Sequence, residues 1–452
     1  MSVLLLLALF VAQDPAASGA SVPAPKPRTF AEVTRTCFAA WDRDGDGTLQ
    51  PLEIDALCVR ADTVGEEAAA IASLKRVIRS GKYAVPPLTV AELTKARPSP
   101  AGRTRARPPA ADAAAAGDAA RAGASDTDRS DSPEPSPTSG PSAPALRQPN
   151  FQSSFANSLR RIRSTKRELF VDPTPDLDAC RQGPLGDCFL VAAVGAMVAR
   201  DPLELMRRVE PKAEGGYVVH FGNGRTVEVA PLTDAELALS GTTGDEGLWL
   251  PVLEKAIGSL RQELDPAKYA TDTATDAISK GGSTASMIRL LTGHTTVRIG
   301  LEKRPKSTEK DQSGNAVLQP SQPAGDHEAL AARVRTEVAA ALRAGRLVAS
   351  STRQEAQPKG ISGKHAYAVL AFDAATDELH LWNPHGNTHR PKGDKGLQNG
   401  YPTKAGRFSM PVADFVRVFS SVVIETAESL PRVDPRKPVP APSSDGKKVD
   451  RK

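Results

Sequence analysis

The chain has 452 residues, 40% of them hydrophobic, with 58 basic and 53 acidic side chains and a net charge of only +5. Such intermixed charge argues against nucleic acid or an anionic membrane as the main partner. The length suits two or three domains, and 38 prolines are too many for one compact unit, so linkers are expected.

At the N-terminus, residues 3–12 read VLLLLALFVA. The run is too short to cross a bilayer core of about 30 Å but fits the apolar centre of a signal peptide spanning residues 1–20, with cleavage after Ala20. Neither Lys nor Arg precedes it. The expected location is secreted, periplasmic or cell-surface, the alternative being a cytoplasmic chain with a greasy start. In an oxidising compartment Cys37 and Cys58, which flank one module, are candidates for a disulfide, whereas Cys180 reads as an ordinary buried thiol.

Residues 21–97 look like a small all-α module centred on DRDGDGTLQPLE, residues 42–53. Asp42, Asp44 and Asp46 alternate, Gly47 supplies a sharp turn, Thr48 offers its carbonyl, Gln50 follows, and Glu53 closes a twelve-residue loop. This is EF-hand spacing: a hard Ca2+ ion takes six to eight oxygens, short carboxylates wrap one side and a longer one closes the other. Phe38, Trp41, Leu52, Ile54 and Leu57 are expected to pack the flanking helices. Residues 81–92 match the loop in length, with Leu88 where the first has Leu49, but lack its carboxylates. They read as a degenerate, metal-free partner, or else as an unrelated helical hairpin.

Residues 98–150 are rich in Ala, Pro, Ser, Gly and Asp, which cannot bury enough apolar surface to offset chain entropy, so a disordered linker is expected. An insert at 304–326 and a tail at 431–452 share that character.

Beyond the linker, QGPLGDCF at 182–189 leads into FLVAAVGAMVA. An apolar run of this kind predicts a buried helix with Asp187 as N-cap and Cys188 in the first turn, where unpaired N–H groups and the helix dipole favour thiolate. Further on, HAYAVLAFD (365–373) and ELHLWNP (378–384) read as strands of an antiparallel hairpin. A turn centred on Ala374 would set His365 directly opposite Asn383, with Cβ atoms about 5 Å apart. Parity puts His365, Tyr367 and Val369 on one face with Leu379, Leu381 and Asn383. An imidazole held by an amide can take the proton of a thiol.

Cys, His and Asn in that chain order form the papain-like variant of the catalytic triad. The segment QGPLGDCF resembles the calpain sequence around the reactive cysteine. GLWLPVLEKAIGSL (247–260), KGGSTASMIRLLTG (280–293), KHAYAVL, WNPHGN and GRFSMPVADFVRVF (406–419) are similar to further calpain blocks in the same order. The resemblance covers about 155–427. It implies that Cys188 is the nucleophile, His365 the general base and acid, Asn383 the residue that orients it, and Gln182 an oxyanion-hole donor. Calpains usually carry Trp where this chain has Phe189 and His385, and the second Trp is understood to shield the Asn–His hydrogen bond from water. His220, His294, His327, His380 and His389 show no metal spacing.

The expected fold class is α+β: a papain-like two-subdomain cysteine protease core, α-rich over 155–293 and β-rich over 294–427, plus the EF-hand module on a flexible tether. The expected function is that of an exported, calcium-dependent cysteine endopeptidase, monomeric, with protein substrates and Ca2+, and with no nucleic acid and no stable membrane span. Alternatives are a catalytically dead papain-like scaffold or a calcium-dependent binding protein. A transglutaminase-like transferase usually wants Asp in the third position, so Asn383 speaks against it.

Overall fold

The computed structural model describes residues 27–95, 146–301, 325–354 and 357–432. The expected signal peptide, the linker up to residue 145, the insert up to residue 324 and the tail beyond residue 432 lie outside the described residues.

Four helices make the N-terminal module: α1 (Phe30–Trp41), α2 (Pro51–Cys58), α3 (Gly65–Ser80) and α4 (Val90–Thr94). Thr29 starts α1 through a capping box with Glu32, satisfying two otherwise orphaned N–H groups. Phe38, Trp41, Ile54 and Leu57 are buried as the apolar spacing requires, but Leu52 is 62% exposed, because it lies on the outer face of the short α2. Leu49 N–H donates to the Leu88 carbonyl at 3.1 Å, so residues 42–53 and 81–92 are joined at the same position of each.

The helical half of the core runs through α5 (Phe151–Ser164), α6 (Cys188–Arg200), α7 (Pro202–Met206), α8 (Asp234–Leu239), α9 (Trp249–Leu264), α10 (Ala274–Ser279) and α11 (Thr284–Thr292). It also holds a small antiparallel sheet, β1 (Val209–Pro211), β2 (Tyr217–His220) and β3 (Thr226–Val229), which the apolar pattern did not announce. Gly293, at φ 77°, caps α11 in the left-handed region and turns the chain into the sheet half.

That half comprises β4 (His294–Gly300), α12 (Gly325–Arg343), β5 (Val348–Thr352), β6 (Ala366–Asp373), β7 (Glu378–Trp382), β8 (Arg407–Pro411), α13 (Val412–Val418) and β9 (Phe419–Ser429). Its six-stranded antiparallel sheet has the order β4-β9-β5-β6-β7-β8. Strand alternation divides the side chains between two cores. Ala349, Ala368, Trp382 and Val423 join the helical core around α6, while Val348, Tyr367, Val369, Leu379, Leu381 and Ile424 pack with α12 and α13. Among the described residues no helix is long and apolar enough to cross a membrane.

Further expectations are corrected, the hairpin register first. The β6–β7 turn takes four residues, 374–377, held by Asp373 Oδ1 accepting from the Ala375 N–H at 2.8 Å, and a bulge falls between Val369 and Ala371. Val369 therefore pairs with Leu381, and at that register Asn383 is level with Tyr367 rather than with His365. The apolar face assignment survives, because the register moved by an even number.

The second correction concerns the tether. The module is docked, not free: α3 lies against α5 and α8, and Phe30 stacks on Phe151 with centroids 5.1 Å apart. Thr233 Oγ1 donates to the Cys58 carbonyl at 2.5 Å, and the Gly65 N–H to Asp234 at 2.7 Å. Lys75 of α3 is 5% exposed and pairs with both Asp55 of α2 and Asp276 of α10, the latter also bound by Arg79 at 2.5 Å. Burial alone would raise the Asp276 carboxyl, yet Arg79, Lys75 and Thr273 hold it at about 2. Cys37 and Cys58 are free thiols rather than a disulfide, as are Cys180 and Cys188, and Cys58 is packed in the module interior.

Candidate active site

Four segments bring the expected site residues together. Cys188 opens α6, and the backbone N–H of Ala366, the residue after His365, faces its thiol. His365 immediately precedes β6, its own N–H donating to Thr352 Oγ1 at 3.0 Å, and Asn383 immediately follows β7. Gln182 is tied across from the other half, its N–H donating to the Pro384 carbonyl at 2.8 Å.

The ring of His365 is 6% exposed, and Nε2 lies 2.8 Å from Asn383 Oδ1. An amide oxygen only accepts, so Nε2 carries the proton and Nδ1 is left as the basic nitrogen. The amide is itself aimed. Asn383 Nδ2 donates to Asn387 Oδ1 at 2.9 Å, and Asn387 Nδ2 to the Gly360 carbonyl at 2.9 Å. Asn387 was overlooked as a site residue. Its only sequence signal was its place in WNPHGN.

His385 stands where calpains usually carry Trp. Its ring stacks on His365, with centroids 4.0 Å apart and planes 17° from parallel, and the His385 backbone N–H donates to Asn383 Oδ1 at 3.0 Å. Tyr367 meets the His365 ring edge-on at 5.1 Å. Burial lowers His365 to about 3; a positive neighbouring ring acts the same way, and the Asn383 hydrogen bond opposes both.

Around Cys188, burial raises the thiol, outweighing the Ala366 N–H and the helix-start N–H groups of Phe189 and Cys188, which lower it. Desolvation thus opposes the thiolate that the terminal N–H groups favour. Asp187 occupies the N-cap position but its side chain caps nothing. Its carboxyl turns inward beside Gln182 and Glu254, and the two carboxylate oxygens of Glu254 accept from the Gly241 N–H at 2.8 Å. Burial raises both carboxyls, Glu254 the further, which favours a proton between them behind the thiol. Phe189 is buried under the Arg261 guanidinium, 5.0 Å from its ring centre. Cys180 is buried too, and desolvation pushes its thiol well up.

In the module, the carboxylates of Asp42, Asp44 and Asp46 lie within 4.8 Å of one another. Gly47, at φ 83°, brings its N–H to Asp42 Oδ2 at 2.8 Å. Thr48 N–H donates to Asp46 at 2.7 Å and Gln50 Nε2 to Asp46 at 3.1 Å. Glu53 folds back over the loop, accepting from Arg43 N–H at 2.5 Å and Gln50 N–H at 2.8 Å. The donor set is all oxygen and carboxylate-rich, which fits a hard divalent cation.

A family model described as "Calpain family cysteine protease" matches residues 157–426, more than half of the chain. The catalytic subunits of calpain-1 from Homo sapiens, Sus scrofa and Bos taurus are each 30% identical over 151 residues. Those matches cover 30% of this chain and 19% of each relative's length.

Proposed function

The chain belongs to the calpain family of cysteine proteases, and from that premise we propose that it is an endopeptidase in which Cys188 attacks the peptide carbonyl. The observation that carries this reading is the 2.8 Å bond from His365 Nε2 to Asn383 Oδ1, which leaves Nδ1 as the base, while the N–H of the next residue, Ala366, faces the Cys188 thiol. Burial raises the thiol and lowers the imidazole, which favours a neutral resting pair. His365 therefore takes the thiol proton as the sulfur–carbon bond forms, and the carbonyl electrons move onto oxygen. Gln182 and the Cys188 N–H supply the oxyanion donors. His365 then returns the proton to the leaving amine, and water attacks the acyl-enzyme to release the acid and restore the thiol.

The 42–53 loop would hold Ca2+ through Asp42, Asp44, Asp46, the Thr48 carbonyl, Gln50 and Glu53. Its docked position supports calcium dependence. Asp55, just past the loop, meets Lys75; Lys75 meets Asp276; and Arg261 donates to the carbonyls of Ala277 and Gly281 while covering Phe189. Calcium tightening the loop would be felt at the residue next to Cys188. Export by the 1–20 segment belongs to the same reading, with extracellular calcium as the metal source.

The test is incubation of the mature chain with an unfolded protein, with and without Ca2+. Proteolysis should vanish in Cys188→Ala and should lose its calcium response in Glu53→Gln. Fragments produced equally by Cys188→Ala would exclude the nucleophile. A binding protein with an inert core would bind unfolded chain in Ca2+ and never cut it.

A further inference from the structure

We propose that His385 is a positioning residue that makes the site acid-sensitive: its neutral ring walls the His365–Asn383 hydrogen bond from water, and its protonated ring stops His365 from taking the thiol proton. This rests on Cys188 and His365 being the reacting pair.

The stack is held in place from two directions. The His385 N–H is bound to Asn383 Oδ1 at 3.0 Å, and Ser362 Oγ lies 3.2 Å from His385 Nδ1. With ring centroids 4.0 Å apart, positive charge on one imidazole directly opposes charge on the other. The two rings differ in access to the proton: His365 is buried, whereas His385 is only partly covered at the rim. Acid therefore protonates His385 first.

The charged and titratable neighbours do not relieve that repulsion. Lys82, just after α3 of the docked module, acts on His385 and favours its neutral form after burial has done so. The Arg181 side chain packs against Gly386, and Lys364 precedes His365 in the chain. Cys188 faces from α6 and Tyr367 from β6, both uncharged at rest. Among the described residues no carboxylate hydrogen-bonds to either ring. The pair thus has room for one proton, and a proton on His385 is one that His365 cannot accept from sulfur.

Two readouts across about pH 4 to 8 test this in the full chain: alkylation of Cys188 by iodoacetamide, followed on its own peptide, and kcat/KM for an unfolded protein. Wild type is compared with His385→Phe, which keeps a stacking ring, and His385→Gln, which keeps a polar side chain. In both variants the acid limb of both profiles should move about one pH unit lower. A merely structural role would change the plateau and leave the midpoint in place. Midpoints that coincide with wild type overturn the proposal. Alkylation limbs that shift while no chain is cut would uphold the coupling of the rings and count against the protease reading instead.

Discussion

The two halves of the core hold the candidate reacting groups by different physics. In the helical half Cys188 is positioned by close packing. A Cβ on Gly183 would come within 2.1 Å of the Ser240 carbonyl, and one on Gly195 within 2.6 Å of the Trp382 ring. In the sheet half His365 and Asn383 sit just outside their strands and are aimed by hydrogen bonds, through Thr352, Asn387 and His385. A packed position fails at once when it is crowded, whereas an aimed one degrades donor by donor. The comparison therefore predicts two kinds of mutational response on either side of one cleft.

The largest effect should come from crowding the seam. Gly195→Leu would drive α6 from Trp382 at a cost of about 1–3 kcal/mol or more, abolishing activity and lowering the thermal midpoint together. A variant that melts with wild type would show the seam to be loose.

On the aimed side the fold should stand while turnover falls. Asn383→Ala is expected to reduce kcat about 100-fold with unchanged circular dichroism, because a loose imidazole loses its tautomer and direction. Asn387→Ala, which frees one end of the relay, should cost about tenfold, in keeping with one hydrogen bond of about 1–1.5 kcal/mol. If Asn387→Ala were as damaging as Asn383→Ala, the relay would matter more than the residue it aims.

The smallest effect at neutral pH is on stability, and it grows as the pH falls. His365 is held near 3 in the folded chain, while the unfolded chain protonates it near its ordinary 6.5. Its share of stability is complete above about 6.5 and is lost as pH falls toward 3. His365→Gln should flatten denaturant midpoints through that window, leaving those above it little changed. An unaltered slope would mean that other groups govern acid unfolding.

The hairpin shows how far sequence reading reached. The strands and their buried faces follow from alternation, since Tyr367, Val369, Leu379 and Leu381 are buried together. The register does not, because a four-residue turn and a bulge add residues that no alternation reveals. The amide still meets the imidazole, since Asn383 reaches it by side-chain length from two positions along. His385 was marked only as a departure, and the stack became visible once the register put it beside His365. Asn387 and the Asp187–Glu254 pair were silent, for an Asn or Glu in sequence does not say what it faces.

What the chain's own residues determined is the chemistry available: a thiol at a helix start, an imidazole and an amide at strand ends, and an oxygen-rich loop. These follow from short-range spacing, which secondary structure converts directly into geometry. Tertiary structure alone decided the protonation states and the docking. Whether a thiol is charged depends on the water removed by residues far along the chain. Whether the N-terminal module hangs free or is held depends on Lys75 meeting Asp276 across 201 residues of sequence.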